Sequence, residues 1–203
     1  MTESVSTRCV AGLIVCLLLG GCAGGSRIPE DSFYRLEQAA PTARLAAPVL
    51  DGILMVQGGA AAPIYRDRAL LYSEPGEPAR LQRYHYQSWI DSPPQLLQRS
   101  LADYLRAAGV APAVVTPEDA IDARYRLRVD VERFEQVRGD SGSRVVVGLN
   151  MTLTERTSGK LLVQEQLRTD SAVQGDDFTA MAAAYERALD ELYTRILSRC
   201  AAQ

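Results

Sequence analysis

Two hydrophobic periods divide this chain. From Ser92 to Gly109, Leu97, Leu101, Tyr104, Leu105 and Ala108 recur at three and four residues, while Gln98, Arg99, Asp103 and Arg106 occupy the opposite side. That spacing predicts an amphipathic helix. Ser92 stands at its N-cap, Pro93 at N1, Gln95 where it completes a capping box, and Gly109 at C′. The same period returns near the C-terminus through Phe178, Met181, Ala182, Tyr185, Leu189, Leu192 and Ile196, with Asp176-Asp177 as acidic cap material.

Elsewhere the period is two. Tyr125, Leu127, Val129 and Val131 alternate with Arg126, Arg128, Asp130 and Glu132, and the strand reads to Phe134. Val145, Val147, Leu149, Met151 and Leu153 form a second odd-numbered row, and Leu161, Val163 and Leu167 a third. If both later rows face the core, paired positions sum to an even number, which predicts a three-residue turn at Thr157-Ser158-Gly159 with Gly159 left-handed. The same register sets Glu165 opposite Met151 on the apolar face, which calls for an edge position or a bulge. Shorter strands are predicted at Phe33–Leu36 and at Ile53–Gln57, the latter ended by Gly58-Gly59. A hairpin pairs Ala69–Tyr72 with Ala79–Tyr86 around Glu74–Pro78. The order of strands, helix, strands, helix predicts an α+β fold: a mainly antiparallel sheet with two amphipathic helices packed on one face.

The first twenty-two residues fit neither period. Arg8 precedes an apolar run from Cys9 to Leu19, about eleven residues, too short for a bilayer span but suited to a signal-peptide core. Leu19-Gly20-Gly21-Cys22 follows and resembles a lipobox, in which the cysteine thiol is acylated before cleavage. The expected organisation is a removed leader over 1–21, a lipidated tether over 22–32 and one α+β domain over 33–203. Ala23, next to the cysteine in place of aspartate, points to the periplasmic face of the outer membrane. A triacylated cysteine anchors stably without a spanning helix.

Composition then removes function classes. The 203 residues carry a formal charge of −3 and no basic run, so no nucleic-acid partner is expected. Cys9 and Cys16 leave with the leader and Cys22 takes lipid, so Cys200 remains alone, as a buried inert thiol or as half of an intermolecular bridge. Gly139-Asp140-Ser141-Gly142-Ser143 resembles a serine-protease nucleophile segment, with His85 upstream, but it reads better as a polar turn between the two strongest strands. His85 is the only histidine, so histidine-based metal spacing cannot occur. No catalytic residue, metal or other cofactor is expected. What clusters is aromatic: Tyr65, Tyr72, Tyr84, Tyr86 and Trp89, either core or a partner surface. Trp89 is favoured as core, and partner contact is placed on Tyr65, with Tyr86 and Trp89 as further candidates.

Tyr34-Arg35-Leu36, Pro63–Arg68 with Tyr72, Tyr84–Trp89 and the Leu97, Leu101, Leu105 helix, behind a lipobox leader, resemble the ABC-type transport auxiliary lipoproteins. These are the lipoproteins similar to PqiC that accompany MCE-type systems. The resemblance implies a non-enzymatic accessory of a transporter moving lipids or other hydrophobic molecules between two membranes. Its partners would be an MCE-domain protein and an ABC permease and ATPase, with a homo-oligomer left open. A rival reading is an outer-membrane assembly lipoprotein such as an LptE-like lipopolysaccharide export factor.

Overall fold

The computed structural model describes residues 29–37, 40–42, 44–139 and 142–203, and its compact unit runs from Asp31 to Gln203. Cys22, Asp140 and Ser141 lie outside the described residues. The elements are β1 (Ser32–Tyr34), β2 (Leu54–Ala61), β3 (Ala69–Glu74), β4 (Glu77–Trp89), α1 (Pro93–Ala108), β5 (Val114–Val115), β6 (Tyr125–Gly139), β7 (Gly142–Glu155), β8 (Lys160–Ala172) and α2 (Phe178–Ala201).

The spine of the eight-stranded sheet is β6. One of its edges pairs antiparallel with β7 from Tyr125↔Glu155 to Gly139↔Gly142, and β7 pairs antiparallel with β8. The other edge takes two parallel partners in succession, β2 as far as Val131 and β3 from Gln136. Strands β3 and β4 form an antiparallel hairpin closed at Glu74↔Glu77, while β1 joins β4 and β5 joins β2 in parallel. The longest pairings are antiparallel, as the alternation predicts, but the sheet is mixed. Its parallel pairs join strands far apart in the chain, so no local turn announces them.

Both helices lie on one face. Leu97, Leu101 and Leu105 of α1 share one core with Leu189, Leu192 and Ile196 of α2 and with the odd residues of β6 and β7. The helices also touch directly: the Ser100 and Tyr193 hydroxyls are 2.6 Å apart, and those of Tyr104 and Thr194 2.9 Å. Asp177 caps α2 by accepting the Ala180 N–H at 2.6 Å.

Several local expectations are corrected. The Ser92 capping box does not form. Pro93 and Pro94 offer no N–H, the Gln95 N–H goes to the Ser92 carbonyl, and the Ser92 hydroxyl donates to the Gln95 side chain at 2.9 Å. Strand β2 runs through Gly58-Gly59. There the Gly58 N–H meets Gln98 and the Ala60 N–H meets Asp130, and a Cβ on Gly59 would lie 1.8 Å from Asp130 Oδ1. The β7–β8 connection has four residues, 156–159, because a bulge between Leu153 and Thr154 shifts the register; Gly159 is left-handed at φ 69°. Beyond that bulge the expected parity holds, with Glu165 opposite Met151. Strand β6 continues past Phe134 to Gly139, with one residue inserted between Val131 and Arg133. The insertion flips the alternation, so the buried row passes to Phe134 and Gln136.

Candidate functional site

The three sequence-chosen contact residues separate. Trp89, at the end of β4, is 1% exposed, its ring 5.1 Å from Tyr185 and 5.7 Å from Phe134. It is core, as its apolar neighbours favour. Tyr65 is also buried, at 5%, so the expectation that it offers a partner surface is corrected. Its hydroxyl is turned inward and donates to Glu135 at 2.8 Å. Only Tyr86 keeps an exposed ring, at 46%.

Tyr65 sits in a short 3-10 turn, Pro63–Arg66, that joins β2 to β3. The turn accompanies β6 between Val131, where β2 stops pairing, and Gln136, where β3 begins. Glu135 is buried there, and its carboxylate accepts Tyr65, the Phe134 N–H at 3.0 Å and the Arg133 guanidinium. An ion held by three donors is a satisfied structural group. Burial and the Glu135 carboxylate both push the Tyr65 phenol above its ordinary pKa, so it stays protonated. The sequence could not reveal this role for Glu135, because its partner Tyr65 lies seventy residues away and no local pattern joins the two.

A second aromatic row leads to the surface. Tyr34 packs on Phe178 at 5.7 Å, Phe178 meets the edge of Tyr84 at 4.8 Å, Tyr84 meets Tyr72 at 4.5 Å, and the Arg138 guanidinium lies 5.0 Å over Tyr72. The row borders a cavity of about 490 Å³ at the first turn of α2, lined by Tyr84, Gln136, Arg138, Ser143, Phe178 and Met181. Its polar wall is already hydrogen-bonded: Tyr84 donates to Gln136 at 2.5 Å, and Gln136 donates to Ser143 at 2.8 Å. Such a surface can stack and donate hydrogen bonds. Burial raises the Tyr84 phenol's pKa, so near neutrality it offers no proton transfer. Phe178 and Arg138 belong to this site although sequence reasoning placed one in a helix core and passed over the other.

His85 is exposed on β4, and its ring faces Tyr86 at 6.4 Å. Ser141, the candidate nucleophile, lies outside the described residues. Among the described residues no group of three or more His, Cys, Asp or Glu side chains is placed to hold a metal ion. Cys200 is buried, and burial pushes its thiol up to about 12. No described helix is long and apolar enough to cross a membrane.

Comparison with known proteins places this arrangement. A crystal structure of a DUF330-family protein from Xanthomonas campestris is similar, with a TM-score of 0.72 and 24% identity over 82% of this chain and 92% of the other. A second crystal structure, of an uncharacterized protein, aligns with a TM-score of 0.64 at 16% identity over 84% of this chain and 98% of the other. At these identities the likeness speaks for the fold. An uncharacterized protein of Bradyrhizobium diazoefficiens is 24% identical over 152 residues, which is 75% of this chain and 40% of that relative. The chain therefore spans well under half of that relative's length. The family model described as "ABC-type transport auxiliary lipoprotein component" matches residues 34–197, nearly the whole compact unit, so the chain belongs to that family.

Proposed function

We propose that the protein is a non-catalytic, lipid-anchored accessory of an MCE-type ABC transport system. It is held through Cys22 on the periplasmic face of the outer membrane and serves the movement of lipids or other hydrophobic molecules between the two membranes. The family match across residues 34–197 carries this reading. One further feature supports it: the Leu19-Gly20-Gly21-Cys22 box. An accessory without catalytic parts acts through contact, so what matters is where it is held and what it touches. Its partners are then an MCE-domain protein with its permease and ATPase.

The test is complementation. A strain lacking the chain receives the wild type or Cys22→Ser, and both membrane fractionation and outer-membrane permeability are read. The expected result is that wild type fractionates with the outer membrane and restores the barrier, while Cys22→Ser is released and does not. Full rescue by a soluble Cys22→Ser protein would contradict the anchored role.

A further inference from the structure

Phe33 is 57% exposed in β1, at the edge of the sheet, although its neighbours Ser32 and Tyr34 are half-buried. It lies beside Ser88 of β4, and the Arg68 guanidinium stands 5.8 Å from its ring. Two residues before Ser88 is Tyr86, with φ at 60° and its ring 46% exposed. The contacts along β4 explain that backbone. Tyr84 packs on Phe178, Gln87 accepts the Tyr34 hydroxyl at 2.7 Å, and Trp89 enters the core, so 84, 87 and 89 all face the helices. An odd number of residues must be inserted to change the parity, and against β3 the strand carries three extra between Arg83 and Ser88. A left-handed position favours glycine, yet here it carries a large aromatic ring held toward water. The bulge and the edge strand thus present two exposed aromatic rings and a stacked arginine at one corner.

We propose that this corner of β1 and β4 is a membrane seat: Phe33 and Tyr86 enter the headgroup region of the bilayer that carries the Cys22 lipid, and Arg68 meets a lipid phosphate. The inference rests on the anchoring of Cys22 proposed above. Chain length argues for this occupant. Phe33 follows Cys22 by eleven residues, so it cannot stray more than about 40 Å from the acylated end. The chemistry fits as well. Aromatic rings with a polar edge or a stacked cation suit the interface between water and acyl chains, and an arginine stem lies along an apolar surface while its head reaches phosphate. Arg83 is neutralised by Asp67 at 2.5 Å, whereas Arg68 makes no ion pair among the described residues. The exposed Glu30 and Asp31 just before β1 hold the seat at headgroup depth. Two rings are too few to bind a membrane unaided. At the high local concentration set by an acyl anchor they suffice to orient the domain, which turns the Tyr72–Tyr84–Phe178 row in a defined direction.

The experiment uses the full mature, lipidated chain in phosphatidylethanolamine/phosphatidylglycerol vesicles whose acyl chains are brominated near the headgroup. Phe33→Trp and, separately, Tyr86→Trp are compared with wild type, whose Trp89 is buried and supplies the background. Flotation and intact mass report the anchor. The expected result is that each added tryptophan emits at shorter wavelength than in detergent-free solution of the unacylated Cys22→Ser chain, and loses roughly half its emission to bromine, as for a ring at interfacial depth. Adding Arg68→Glu should reverse both changes. An acylated, floating chain whose added tryptophans stay unquenched overturns the seat while leaving the anchor intact. A blue-shifted but unquenched tryptophan overturns it too, because a second copy of the chain, not the bilayer, then covers the corner. A chain without acyl mass that does not float removes anchor and seat together.

Discussion

The Tyr65 hydroxyl donates at 2.8 Å to Glu135, seventy residues away, and so ties the β2–β3 connection to β6 where β6 has no strand on that edge. Removing the hydroxyl leaves a buried carboxylate one donor short. Tyr65→Phe should therefore lower stability by about 1–2 kcal/mol while keeping the fold, read as a lower urea midpoint at unchanged slope. An unchanged midpoint would show that the contact contributes nothing.

Trp89 packs edge-on against Phe134 and Tyr185, which stack on each other at 4.4 Å. Trp89→Ala should cost about 3–5 kcal/mol, as large aromatic truncations in cores do, whereas Phe33→Ala should stay within about 0.5 kcal/mol of wild type, as at exposed sites. Thermal or chemical denaturation of the two variants side by side checks this. Equal effects would mean that Trp89 is not the packing centre.

Cys200 is fully enclosed, with its thiol pushed up to about 12 by burial. An aromatic disulfide reagent at pH 8 should leave it unmodified in the folded protein and titrate it promptly in denaturant. Rapid reaction in the native state, or a dimer on non-reducing gels, would favour the intermolecular bridge that the sequence left open.

Glu165 tests the edge of the sheet by pH. The hydrogen bond from Arg199 is the main cause that lowers its carboxyl below the usual 4.5. A carboxyl depressed in the folded state stabilises above its unfolded pKa and loses that contribution as pH falls through the folded one. At pH 7 the Glu165→Gln variant should be less stable than wild type by about 0.5–1 kcal/mol, the scale of a partly exposed ion pair. The gap should narrow below pH 4.5 and close as pH falls through the lowered folded value. A gap that persists at acid pH would assign the effect to packing instead.

The sequence exposed those parts of the fold whose physics is local. Leu97, Leu101 and Leu105 mark a helix face by spacing alone, and the odd rows of β6 and β7 mark a buried sheet face. Even Glu165 opposite Met151 followed from parity, although the Arg199 partner that makes it tolerable could not be seen. Where inserted residues reset parity, local reading failed. That happened after Val131, which hid Gln136, and around Tyr86, whose left-handed backbone leaves no trace in composition. Parallel pairing of β2 and β3 with β6 joins residues about seventy apart and has no turn signature. Tyr65 was misjudged for the same reason: an aromatic in a loop reads as surface until the carboxylate beneath it is known.

An accessory that works by contact with an MCE-type transporter should be recovered with it when the full lipidated chain is affinity-purified from its own membranes in mild detergent. The expected result is that an MCE-domain protein, a permease and an ATPase are enriched together with wild type and are lost with Cys22→Ser. Recovery of the folded, acylated chain without them, or in company with lipopolysaccharide export proteins, would contradict it.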